Sequence, residues 1–123
     1  MINVKDQVYK ALEDTGAFES VSDLYPVGSG AFPCAQLTEE ANYVYTKTDN
    51  DEKLSYLRYR VDIWASGSTS GLALEVDTAL SGLGLTRTEC ADVPDPTIQR
   101  HKQMRYEGII DVTTQEMYWT GNQ

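Results

Sequence analysis

Apolar and polar residues alternate most sharply from Leu57 to Ala65. Leu57, Tyr59, Val61, Ile63 and Ala65 alternate with Arg58, Arg60, Asp62 and Trp64. A period of two marks a strand that lays one face on a core. A weaker strand pattern precedes it, with Cys34-Ala35-Gln36-Leu37-Thr38, an interruption at Glu39-Glu40-Ala41-Asn42, and a resumption at Tyr43-Val44-Tyr45-Thr46. The polar run from Thr48 to Lys53 predicts a turn between the two. Two other stretches carry helical spacing. Val4, Val8, Ala11 and Leu12 share one face, with Asn3 as the expected N-cap, Asp6 in the first turn and Gly16 just past the end. Leu72, Val76, Ala79, Leu80 and Leu83 form a second stripe. It follows the capped turn Gly67-Ser68-Thr69-Ser70-Gly71, and Gly82 and Gly84 end it.

Residues 17–32 hold Pro26, Gly28 and Gly30 and read as loop, tied to the core by Phe18, Val21 and Leu24. After the second helix come a short strand at 85–90, a Pro94-Asp95-Pro96 loop, a strand at 102–111 and a last strand at 114–119. In the strand at 102–111, Met104, Tyr106, Gly108 and Ile110 share a face. The order α-β-β-α-β-β-β is dominated by hairpins. It predicts an α+β fold, with a mostly antiparallel four- to five-stranded sheet and two helices packed on one face. With 123 residues, the chain reads as one domain spanning 1–123.

Composition narrows the function classes. Cys34 and Cys90 are too few for a disulfide framework and read as small buried hydrophobes of a protein made in a reducing cytosol. No apolar run approaches the ~20 residues that span a membrane. The opening Met1-Ile2-Asn3-Val4-Lys5-Asp6 goes straight into an amphipathic pattern rather than a signal-peptide pattern. The expectation is therefore a protein made in the cytoplasm, with no membrane partner. A net charge of −9 repels phosphate backbones and disfavours a nucleic-acid binder. Eight tyrosines and two tryptophans suit half-buried strands and interfaces alike.

No residues assemble into a catalytic, cofactor or metal motif. His101, the single histidine, lies in the basic stretch Gln99-Arg100-His101-Lys102 and has the sequence context of a surface residue, with no metal-ligand cluster around it. Gly67 to Gly71 occupies the place of a nucleophile elbow, but its middle residue is Thr69 rather than serine. Gly28-Ser29-Gly30 and Gly82-Leu83-Gly84 lack the third glycine of a dinucleotide fingerprint. Asp49-Asn50-Asp51 begins like a calcium loop but lacks its glycine and puts Lys53 at a ligand position. The expectation is no enzyme activity and no cofactor. Arg100, Lys102 and Arg105 are expected to pair with the surplus acids, within the sheet or across a subunit boundary.

The hairpin arms, about 33–46 and 54–66, exceed the ~5–6 residues of an ordinary strand. Two outcomes suit its tip, a solvated turn or a projecting handle for a neighbouring subunit that carries Tyr43 and Tyr45 beside Asp49-Asn50-Asp51. Tyr43, Tyr45, Trp64, Arg100 and Arg105 are the candidate interface residues.

Several segments, taken in order, resemble a family of small siphophage and prophage proteins of Gram-positive bacteria. These are tail terminators, tail-completion, minor capsid and head–tail joining proteins. The segments are Phe32-Pro33-Cys34, Asn42-Tyr43-Val44-Tyr45, and Tyr59-Arg60-Val61-Asp62-Ile63-Trp64 with the turn and helix after it. Leu83-Gly84-Leu85-Thr86-Arg87-Thr88 and Arg100 through Met104-Arg105-Tyr106 complete the set, which spreads over most of the chain. The resemblance implies helices on one side of a sheet and a ring, commonly of six copies, that caps the tail tube. Its partners would be further copies of itself in a hexamer closed by a head-to-tail interface, the tail tube protein and the head-side connector protein. DNA would pass through without being specifically bound, past some of Asp49, Asp51, Glu52 and Asp62 as lumen candidates. The location would be the virion tail or neck. The family offers no catalytic residues to carry over. A neck or minor capsid role on the head side is the nearest alternative. A small enzyme or inhibitor of unknown type is the alternative of a different class.

Overall fold

A computed structural model of the chain describes residues 2–23, 32–48, 51–94 and 100–118, except the side chains at 47, 48, 51, 52 and 118. The first helical stripe forms α1, Lys5–Asp14, and the second forms α2, Ser70–Ser81. The strands are β1 (Ser20–Ser22), β2 (Cys34–Thr48), β3 (Asp51–Ala65), β4 (Thr86–Val93), β5 (Arg100–Asp111) and β6 (Met117–Tyr118). All six lie in one sheet ordered β1-β2-β3-β5-β4, with β6 pairing β5 at Ile109 and Ile110, past the end of β4. Among the described strands only the β1–β2 pair is parallel. The fold is α+β, as the pattern predicts.

The period-two strand decides which face meets the helices. Leu57, Tyr59, Val61 and Ile63 join Leu37, Met104 and Tyr106 from the neighbouring strands, and Val8, Leu12, Val76 and Leu80 from both helices, in one buried cluster. The two helices therefore share one face of the sheet. Tyr59 and Tyr106 are large polar-tipped side chains in that core, and each hydroxyl finds a carboxylate: Glu39 Oε1 at 2.9 Å and Asp77 Oδ1 at 2.7 Å. Burial, with the nearby carboxylates, pushes both phenols well above their ordinary range.

Several local expectations are corrected. The interruption expected at 39–42 is a bulge inside a continuous strand: Glu39 pairs with Tyr59 and Ala41 with Arg58, leaving Glu40 as the extra residue. A bulge shifts the alternation by one. Cys34, Gln36 and Thr38 thus share the outer face with Ala41 and Tyr43, while Asn42 takes the inner one. The loop expected at 17–32 holds β1, whose Val21 is buried and whose carbonyl accepts the Tyr9 hydroxyl. Leu24 lies outside the described residues. Val4, not Asn3, caps α1; Asn3 instead donates to Asp6 Oδ2 at 3.2 Å. Gly16 sits past the helix end at φ +68°, as its position suggests.

β4 runs to Val93, three residues farther than expected, and the last strand begins at Met117 rather than Thr114, while Trp119 lies outside the described residues. It begins late because 112–114 turn back over the Asp111 carboxylate, which accepts the amides of Thr113 and Thr114 at 2.8 and 3.0 Å. Cys34 is buried, which pushes its thiol up, but Cys90 is exposed. Cys90 lies on the edge strand β4, whose residues 87–92 are all exposed.

Candidate interaction surface

Neither described helix covers the outer face of the sheet, yet parts of it are as dry as the core. The β2 bulge sets Glu40 among three arginines from two strands. Arg105 Nε donates to Glu40 Oε1 at 2.9 Å, and Arg105 Nη2 and Arg60 Nη1 each reach Oε2 at 3.3 Å. Arg58 Nε lies 3.3 Å from Oε1 but at an angle that makes it an ion pair rather than a hydrogen bond. Burial alone would raise the Glu40 pKa. The Arg105 hydrogen bond and the charges of Arg105, Arg60 and Arg58 outweigh it and hold the carboxyl below the usual range. Neighbouring Glu107 goes the other way, raised by burial and then by the Glu40 charge. The Tyr56 hydroxyl donates to Glu107.

A second cluster centres on Asp62. Arg60 Nε donates to Oδ2 at 2.9 Å, while His101 Nε2 and Gln103 Nε2 lie 2.8 and 3.1 Å from Oδ1. The His101 ring stacks on Trp64, with centroids 4.4 Å apart. Asp62 and Trp64 are therefore only 3% and 5% exposed. This corrects two expectations. Asp62 cannot line a lumen of this chain, because its carboxylate is spent on neighbours. Trp64 cannot serve as an exposed interface residue, because its ring is covered from within the sheet. His101, read as a surface residue, has a half-buried side chain for the same reason.

The other candidates are dispersed. Arg105 is tied to Glu40 and to Glu89, at 2.7 Å from Glu89 Oε1. Lys102 pairs with Asp92 at 2.9 Å, whereas Arg100 is exposed and has no carboxylate partner among the described residues. Asp49 lies outside the described residues, as do the side chains of Asp51 and Glu52. Tyr43 and Tyr45 are about half exposed, at 54% and 51%, and Val44 between them is 49% exposed. Tyr43 packs on Tyr56, with ring centroids 4.8 Å apart. Tyr45 is the extra residue of a second bulge, since Val44 pairs with Ser55 and Thr46 with Leu54.

These three residues stand on an edge that is open among the described strands. β1 pairs with β2 only from Cys34 to Gln36, so from Leu37 to Thr48 no described strand pairs the outer side of β2. On the other side β5 follows β3 from Leu54 to Ala65. The hairpin therefore extends past the sheet by the few residues beyond Leu54, less than its length suggests, and what is exposed is its flank. Glu40, the residue that organises the outer face, was missed by motif reading. A double acid inside a strand pattern is its one sequence signal.

Among the described residues no group of three or more His, Cys, Asp or Glu side chains could hold a metal ion. No described helix is long and apolar enough to cross a membrane. No protein-family model and no curated protein matches the chain.

Proposed function

We propose that this chain is a structural, ring-forming protein of a tailed-phage virion that caps the tail tube and joins it to the head. The observation that carries this reading is the flank of β2, where Tyr43, Val44 and Tyr45 are exposed beside an edge that no described strand pairs. An unpaired edge offers backbone donors and acceptors to another chain, and half-exposed tyrosines add contact area at small entropic cost. The ordered resemblance to tail terminators supports the same reading. The work assigned to the chain is surface complementarity between rings, which asks for no catalytic group. The pre-paired outer face suits such a role, because side chains already fixed lose little freedom on docking. The partners in this reading are further copies of the chain, the tail tube protein and the head-side connector.

Mass in solution across concentration, with negative-stain images of the same sample, tests the reading. The measurement is repeated with isolated tail tubes. A closed ring alone, or a cap on tube ends, is the expected result. A chain that stays monomeric alone and leaves tube ends bare would overturn it. Capture by isolated heads in place of tubes would move the role to the head side of the neck.

A further inference from the structure

We propose that the turn between β3 and α2, together with the first residues of β5, binds the phosphate group of a small ligand. The proposal stands apart from the ring reading and from the β2 flank. A cavity of about 600 Å³ opens at this end of the sheet. It is lined by residues 66–70 of the turn, by Asp92 and Val93, and by Arg100 to Lys102. That volume lies within the range of small-molecule sites.

The register explains why these groups converge. Arg100 pairs with Ala65 and Lys102 with Ile63, two positions on the helix-covered side of the sheet. Both cations therefore stand on the side where α2 begins. α2 is 12 residues long, carries no acid in its first turn and receives no side-chain cap from Thr69. The Ser70 amide is taken by Ser68 Oγ at 3.2 Å, while those of Gly71 and Leu72 have no acceptor among the described residues. Free amides at a helix start favour an anion.

Thr69 supplies the second, independent sign. It is only 6% exposed and lines the cavity, yet its hydroxyl makes no hydrogen bond to any described residue. That hydroxyl opens into the cavity, where a ligand oxygen would replace solvent as its partner. Arg100 adds a cation with no carboxylate of its own among the described residues. Among the described lining residues Asp92 is the one acid, and it holds Lys102 Nζ at 2.9 Å. An incoming phosphate would share Lys102 with it. His101 reaches the lining too, but its ring is committed to Asp62 and Trp64 on the outer face.

The test titrates the ¹⁵N-labelled full chain with inorganic phosphate and, separately, with adenosine monophosphate, at low ionic strength. Saturable shifts at the amides of Ser70, Gly71 and Leu72 are expected. Arg100→Ala should weaken binding about tenfold, the size of one lost charge-assisted contact. Asp92→Asn should tighten it several-fold by releasing Lys102. Both positions are exposed, so neither change threatens the fold. Thr69→Val, checked for folding by circular dichroism, should weaken binding several-fold. Tighter binding of the nucleotide would mean that the phosphate arrives on a larger ligand; equal binding would mean free phosphate. Shifts that fail to saturate, or that ignore both Arg100→Ala and Asp92→Asn, would overturn the site.

Discussion

On the helix-covered face of the sheet, Leu57, Val61 and Ile63 are fully buried beneath two helices. On the opposite face Asp62 is 3% exposed with no described helix over it. Parts of the outer face thus reach the dryness of the inner one by different means. The inner one buries apolar side chains against another layer, a non-directional gain that scales with area. The outer one closes laterally, as Arg58, Arg60 and Arg105 meet the carboxylates of Glu40, Asp62 and Glu89. Such pairs contribute little net stability over an apolar equivalent, but removing one partner is costly because the other remains buried. The inner face should therefore respond to lost volume, and the outer face to lost charge and to pH.

The largest effect is expected on the inner face. Leu57→Ala deletes a fully buried side chain at the centre of the cluster and should cost about 3 kcal/mol. That corresponds to a fall in Tm of about 10 °C for a domain of this size. Equilibrium urea unfolding checks it. The loss should be the same at pH 7 and pH 4, since no charge is involved. A pH-dependent loss would mean that the two faces are not separable.

Glu40→Gln is the matching break on the outer face. The Glu40 side chain is 15% exposed, and its removal leaves Arg58, Arg60 and Arg105 without their shared partner. A cost of about 2 kcal/mol at pH 7 is expected, below the value for a fully buried pair because Arg58 is 43% exposed. The sign of the pH effect follows from the shift. The folded pKa of Glu40 is depressed, so its contribution is present above the ordinary carboxylate value. It is lost as pH falls through the lower folded value. Glu107 opposes this: its raised pKa gives stability that is present at low pH and lost as pH rises through the folded value. The native chain should weaken on acidification below about pH 4.5, a limb that Glu40→Gln flattens. Asp111, whose pKa is depressed by the Thr114 and Thr113 amides, keeps part of that limb in the variant. Identical acid limbs in both proteins would refute the assigned role of the arginine cluster.

The contrast between the faces also explains what was legible in the sequence. Leu57 to Ala65 reads directly, because burial against helices imposes a strict period of two on that strand. Both helices read equally well from their stripes. The outer face did not. Arg58, Arg60 and Asp62 look like solvated positions, since a one-dimensional pattern marks polarity and not lateral pairing. Their partners, Glu40, His101 and Gln103, come from other strands and meet them only once register is set. Trp64 and Asp62 were misread for that reason. β1 was missed because three residues with one apolar side chain carry no period, and their pairing with Cys34 to Gln36 is non-local. The cavity beside Thr69 had a partial signal, a Ser/Thr turn before a helix and a basic run at a strand start. Only the sheet register brings them together.

The smallest effect on folding is expected where assembly is most affected. Tyr45 takes part neither in the buried cluster nor in the outer-face ion pairs. It is the bulged residue on the β2 edge, and no described ring stacks on it. Tyr45→Ser should change unfolding free energy by less than about 0.5 kcal/mol, as for a surface position without partners. Tyr43→Ser loses its packing on Tyr56 and should cost about 1 kcal/mol. If the β2 flank is the ring or tube interface, the double variant should fold like the native chain yet lose the ring, or the tube cap, at concentrations where the native chain forms it. Edge bulges discourage indiscriminate strand pairing, so loss of the tyrosines should leave a monomer rather than an aggregate. Unchanged assembly in the double variant would remove the flank from the interface and leave the pre-paired outer face as the surface to test, with Glu89→Lys reversing the charge beside Arg105. Assembly that survives both changes would place the subunit contact on neither surface.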